Sequence, residues 1–226
     1  MNSFQKCAAS IALATAMLAP LSAAAVEYVA RHGLSSAQYQ AEFNKYVGQG
    51  YRLTAVDGYA TPAGMRYAAM WQRRGGPAWV ARHGMGAGTY QAEFNKYTKQ
   101  GYRPSDISVS GLGNSAGNFA ALWERRTGRW VARHGLTSAQ YQAAFDNATA
   151  KGYRPVHVDG YWTPAGVRYA AIWEKRGGPR WVARHGLSSA QYQAAFNKLS
   201  GQGYSLVSVS GYWDGQQSRY AAIWSR

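Results

Sequence analysis

Cysteine is almost missing from this chain. One residue, Cys7, is present in 226, so no disulfide within the chain is available to brace the fold. Acidic residues are scarce as well, 10 Asp and Glu against 25 Lys and Arg, for a formal net charge of +15. A chain of that charge is drawn to polyanions and anionic surfaces. Long apolar runs are absent beyond the first residues. The stretch from Ala8 to Ala19 follows Lys6 and leads into Ala23-Ala24-Ala25. It is too short to span a bilayer comfortably and has the layout of a cleaved secretory leader, residues 1–25. Its removal takes Cys7 with it and, through Lys6, lowers the charge to +14 (15 − 1). The expected location is secreted or periplasmic, with no membrane span.

What the chain has in quantity is repetition. Tyr28-Val-Ala-Arg31-His32-Gly33 returns as Trp79 to Gly84, Trp130 to Gly135 and Trp181 to Gly186, every 51 residues. A fixed period of this size marks a repeat architecture in which no unit closes a core alone. Residues 26–226 are therefore read as one domain of four repeats: 26–76, 77–127, 128–178 and 179–226. The 46% hydrophobic and 14% aromatic content is ample for a core.

Each unit reads as strand, helix, strand, strand. Tyr28 to His32 has strand composition. Ser35 with Gln38 three residues on has the form of a capping box. Tyr39, Phe43 and Tyr46 follow at helical spacing, and Gly50 stands where a helix stops. Tyr51–Tyr59 and Tyr67–Trp71 are strands around a Pro-Gly turn. The second strand is expected to run parallel to the first after a right-handed crossover, and the tight later links to make antiparallel pairs. The fold class expected is α+β: four β-α-β-β repeats in a closed or nearly closed, mostly antiparallel sheet ring with helices on one face. A four-bladed propeller-like arrangement is the alternative. Closure is expected because both terminal strands look like interior ones, and an uncovered edge invites aggregation.

The line Trp-Val-Ala-Arg-His-Gly-Leu, then Ser-Ala-Gln-Tyr-Gln, Gly-Tyr-Arg, Gly-Tyr and Arg-Tyr-Ala-Ala-Ile-Trp resembles the bacterial tandem-repeat domain family over Val26–Arg226. In that family such units occur alone or beside serine hydrolases of the β-lactamase type, polyglycine hydrolases among them. The resemblance implies an accessory module. The only Ser-x-x-Lys here is Ser3 to Lys6, inside the leader, so hydrolase activity does not carry over with it.

The Arg-His-Gly line precedes a helix N-terminus, where free N–H groups and an Arg fork suit an anion. Arg31, His32, Arg82, His83, Arg133, His134, Arg184 and His185 are the anion-binding candidates. Against this stands a structural role, the His bonding a neighbouring strand and the Arg packing over an aromatic. Histidine phosphatases use a similar line, but theirs continues with a second Arg and needs a second His, for which only His157 is spare. Four inward His32, His83, His134 and His185 would form a metal site. Strand alternation, though, sends His and Arg to opposite faces. In repeat 2, Gly113-Asn-Ser115-Ala-Gly117 matches the nucleophile-elbow pattern, yet a strand follows it where a helix is needed. Tyr59, Trp162 and Trp213, at or beside the turn tips, are candidates for stacking on sugar or peptide. The reading is a secreted, non-catalytic module for an anionic envelope polysaccharide, peptidoglycan or protein, with no cofactor; export disfavours nucleic acid. A phosphatase or serine esterase/peptidase, and a four-His metal site, are the alternatives.

Overall fold

The computed structural model describes residues 27–111 and 117–226. The expected leader and Ser115 lie outside them. Unit 1 comprises β1 (Tyr28–Leu34), α1 (Ser36–Gly48), β2 (Arg52–Thr61) and β3 (Gly64–Gln72). Unit 2 comprises β4 (Trp79–Met85), α2 (Ala87–Lys99), β5 (Arg103–Ser110) and β6 (Asn118–Glu124). Unit 3 has β7 (Trp130–Leu136), α3 (Ser138–Ala150), β8 (Arg154–Thr163) and β9 (Gly166–Glu174). Unit 4 has β10 (Trp181–Leu187), α4 (Ser189–Gly201), β11 (Ser205–Trp213) and β12 (Ser218–Ser225).

The helices start and stop where their end residues dictate. Ser35, Thr137 and Ser188 each cap N–H groups and are bonded back by Gln38, Gln140 and Gln191 in full capping boxes. In unit 2 the position is Gly86, and no side chain caps α2. Past each helix, Gly50, Gly101, Gly152 and Gly203 turn the chain at φ between +78° and +83°, a conformation that favours glycine. The Tyr stripe of α1 lies on the sheet, with Tyr39 at 2% exposure and Tyr46 at 4%. Beneath the four helices Trp71, Trp123, Trp173 and Trp224 are wholly buried.

The described strands form four separate three-stranded sheets, not one. Their orders are β1-β3-β2, β4-β6-β5, β7-β9-β8 and β10-β12-β11, and every pairing is antiparallel. The third strand of each unit, not the second, lies beside the first. It is the most apolar of the three, and the central place buries it on both faces; β6 is buried from Phe119 to Glu124. The first and second strands are still parallel, but β3, β6, β9 or β12 separates them.

This corrects the expected ring and its propeller-like alternative. No sheet closes or curls on itself, because each first strand spends its ladder inside its own unit: Arg73 N–H donates to Glu27 O, and Arg125 N–H to Ala78 O. Neighbouring units are joined instead through side chains. The second strands stand in a row, β2 beside β5, β5 beside β8, β8 beside β11. Burial shows where the row stops. Val56, Ile107 and Val158 are at most 4% exposed, whereas their counterpart Val209 is 50% exposed.

Candidate functional site

Each Arg-His-Gly line forms a β-bulge. Arg31 pairs with Ala69 and Leu34 with Tyr67, so two residues, His32 and Gly33, stand opposite the single Ala68. The other three units repeat the irregularity. The glycine supplies the conformation, with φ between +68° and +71° at Gly33, Gly84, Gly135 and Gly186. The Gly33, Gly135 and Gly186 N–H groups donate to Tyr59, Tyr161 and Tyr212 hydroxyls of the same unit, at 3.1–3.2 Å.

The bulge aims His83, His134 and His185 backwards, at the preceding unit. His83 sits 4.5 Å from Tyr39 and 5.0 Å from Tyr67, ring centre to ring centre. His134 meets Tyr90 and Phe119, and His185 meets Tyr141 and Tyr169, at 4.7–5.5 Å and near-perpendicular angles. Each Nε2 reaches a polar group on the preceding helix: Ser36 Oγ at 3.0 Å, Gln91 Oε1 at 3.0 Å, Ser138 Oγ at 3.2 Å. Unit 2 carries Ala87 where the others carry serine, and His134 turns to Gln91 instead. Burial holds His83, His134 and His185 below the usual imidazole pKa. The four imidazoles do not converge, and among the described residues no group of three or more His, Cys, Asp or Glu is placed to hold a metal ion. His32, on the first described strand, is exposed.

The arginines lie on the other side of their strands. Arg31 reaches Glu42 (3.5 Å) and stacks over Tyr46; Arg82 reaches Glu93 (3.6 Å) and stacks over Tyr97. These partners lie at the middle and in the last turn of each helix, away from its N-terminal N–H groups. Units 3 and 4 carry Ala144 and Ala195 in place of the glutamates. Arg133 and Arg184 are exposed, with no carboxylate against them among the described residues.

Along the row of second strands runs a polar relay that the four-fold motif does not reveal. Val56 N–H donates to Asp106 Oδ2 (2.9 Å), Gly58 N–H to Ser108 Oγ (3.0 Å), and the Ser108 hydroxyl to Asp57 Oδ1 (2.7 Å). Asp159 is bonded from both sides, by Val109 N–H on Oδ2 (2.7 Å) and by the Ser210 hydroxyl on Oδ1 (2.8 Å). Burial pushes the Asp159 pKa up to about 8, against the lowering effect of those bonds. His157 Nδ1 lies 3.3 Å from Asp106 Oδ1, and Nε2 donates to Ile107 O at 2.7 Å. Burial raises Asp106 too. An imidazole whose Nε2 is committed to a carbonyl is a clasp between units, not a free base. These groups floor an apolar cleft of about 560 Å³, walled by Ala30, His32 and Met70 on one side and by Val209 on the other.

Two further grooves lie at opposite ends of the same strands. At the start, Arg74, Arg103, Arg126 and Arg176 surround about 400 Å³ together with Glu124 and Glu174. Each glutamate is claimed from inside and outside: Glu124 by Arg52 (3.0 Å) and Arg126 (2.5 Å), Glu174 by Arg103 (3.2 Å) and Arg176 (2.8 Å). At the far end Tyr59, Trp162 and Trp213 come together around about 250 Å³ with Tyr161 and Tyr212. Their states differ. The Tyr59 hydroxyl is bonded by Gly33, and the Trp162 ring lies against Gly215, where a Cβ would come within 2.7 Å of it. Trp213 is 51% exposed.

The sequence matches the family described as polyglycine hydrolase-like, structural repeat, four times over, at residues 25–74, 76–126, 127–176 and 178–226. The chain belongs to that family. Its repeats are structural in the literal sense seen here, since the motif residues His83, His134 and His185 join one polyglycine hydrolase-like repeat to the next. The relay and the arginine groove escape a reading that looks for identity between copies. Their signal is variation at fixed positions: Ala55, Asp106, His157 and Ser208 are one position, and so are Gln72, Glu124, Glu174 and Ser225.

Proposed function

We propose that this structural repeat module is exported and binds an anionic partner, a polymer or a protein, in the cell envelope or outside the cell. The observation that carries the reading is the arginine groove. Arg74, Arg103, Arg126 and Arg176 line it with Glu124 and Glu174, and buried Arg52 lies behind Glu124. Buried Arg52 and Arg103 already match the two glutamate charges, so the outer forks keep charge to spare. Arg126 and Arg176 have side chains 40% and 55% exposed, a disposition that fits bidentate capture of carboxylate, sulfate or phosphate. Arg133 and Arg184 add exposed positive charge outside the groove, and Trp213 offers a face for a sugar ring or peptide. Among the described residues no helix is long and apolar enough to cross a membrane.

The test is retention on dextran sulfate and on a polyglutamate resin. The eluting salt concentration is expected to fall when Arg126 and Arg176 are changed together to Glu, and binding by the unaltered chain is expected to weaken steadily with salt. Retention indifferent to both salt and the double change sinks the proposal.

A further inference from the structure

Three joints inside the chain share one apolar contact. Val56 packs with Ala81, Ala120 and Leu122 of the next unit, Ile107 with Ala132, Ala170 and Ile172, and Val158 with Ala183, Ala221 and Ile223. The same positions occur a fourth time, as Val209 with Ala30, Ala68 and Met70, and these line the apolar cleft. Here the set stays open. Val209 and Ala30 are exposed and Ala68 and Met70 only partly buried, whereas Ala120, Ala170 and Ala221 are shut away from water. What a neighbouring unit fills at the other joints is left as about 560 Å³ of space between units 4 and 1. That size is within the range of small-molecule sites, about 300–1,000 Å³, and apolar walls with few polar groups are their usual lining.

The polar groups of the cleft narrow the ligand further. Three of the four titratable side chains on its floor are spent. Asp106 accepts the Val56 N–H and faces His157, and His157 donates to Ile107 O. Asp159 accepts the Val109 N–H and the Ser210 hydroxyl. Asp57 is different: it is exposed, and its Oδ1 takes the Ser108 hydroxyl, while nothing among the described residues donates to Oδ2. Arg31 borders the same cleft, but its guanidinium turns away to Glu42 and Tyr46. His32 on that wall is exposed, and a neutral imidazole nitrogen is a second acceptor.

We propose that this cleft binds a small primary amine with a compact apolar body. The body lies between Val209 on one wall and Ala30, Ala68 and Met70 on the other, burying side chains that water now reaches. The ammonium donates to Asp57 Oδ2 in a charge-assisted hydrogen bond. A neutral ligand of the same shape covers that oxygen without answering it, and so binds less well. The site is separate from the arginine groove and does not rest on the capture of anions there.

Cyclohexylamine and benzylamine are the probes, with cyclohexanol and benzyl alcohol as their neutral counterparts. Each is titrated into the full chain and followed by backbone amide NMR. The amines are expected to shift the amides around Asp57 and Val209 saturably, and to bind about tenfold or more tighter than the alcohols. Asp57→Asn keeps an oxygen for the Ser108 hydroxyl and is expected to weaken amine binding about tenfold while leaving the alcohols unchanged. Val209→Trp, at an exposed position, fills the cleft and is expected to abolish binding of both. The comparison of amine with alcohol needs no variant, so it decides the matter even if a substitution disturbs folding. Amines that shift nothing near Asp57 and Val209 overturn the proposal. So do alcohols that bind as tightly, or amine binding indifferent to Asp57→Asn or Val209→Trp.

Discussion

The imidazole of His83 stands almost perpendicular to the ring of Tyr67, 86° between planes and 5.0 Å between centres, across a boundary between repeats. The residue that looks most like a reactive group is thus the one that welds the array. Its ring is flanked by Tyr39 as well, and its outer nitrogen meets Ser36.

The joints give the first prediction. His134→Ala removes two aromatic contacts and a hydrogen bond and is expected to lower stability by about 1–3 kcal/mol. His32→Ala, in nearly the same sequence setting but exposed, is expected to change it by less than about 0.5 kcal/mol. Urea unfolding of the two variants side by side reads the difference; equal effects would remove the structural role of the joint.

Glycine in the bulge gives a second. At Gly135, φ is +71° and a Cβ would meet nothing within 4 Å, so the penalty of Gly135→Ala is conformational alone. It is expected to be about 1–2 kcal/mol. Gly177→Ala, also unobstructed and without a left-handed φ, serves as the comparison and is expected to be near neutral.

Glu124 is the third. Its side chain is 4% exposed and its partner Arg52 7%, so Glu124→Ala strands a buried guanidinium and is expected to cost about 3–5 kcal/mol. Replacing both, Arg52→Met with Glu124→Leu, is expected to recover most of the loss. The exposed Arg73–Glu27 pair, at 56% and 59%, is expected to contribute about 0–1 kcal/mol when broken by Glu27→Ala. Thermal melts of these variants separate the two classes.

Asp159 supplies a pH dependence. Its folded pKa, about 8, is above the ordinary carboxylate value of 3.8, so the folded chain holds a proton there that the unfolded chain releases. Its contribution to stability is complete below the unfolded value and declines as pH rises from about 4 to about 8. Asp159→Asn is expected to remove that decline, read as a flatter difference between variant and parent urea midpoints across the window. The joint histidines act with the opposite sign: held neutral by burial, they withdraw stability as pH drops below their ordinary value of 6.5.

The element types were plain in the sequence because their causes are local. Ser35 with Gln38, the Tyr39–Phe43–Tyr46 stripe and the glycine stops dictate each helix within a dozen residues. Strand order was not plain. Short links between the third strand and the next unit read as hairpins, but the strand around Trp123 gains more by lying in the middle of its own sheet than by pairing across the link. Alternation correctly parted the histidines from the arginines; it could not say that His83 faces a neighbour's tyrosines. The Asp106–His157 clasp was hidden because it exists in one joint only, and a search for four-fold identity passes over it.

The residues at 57, 108, 159 and 210 alternate Asp, Ser, Asp, Ser, and each hydroxyl answers a carboxylate beside it. Excision of the second repeat would therefore bring two carboxylates, Asp57 and Asp159, face to face, and excision of the third would leave Ser108 opposite Ser210. Excision of both restores a matched couple, Asp57 with Ser210. Recombination between such near-identical segments is free to alter the array's length, but folding favours even steps over odd ones.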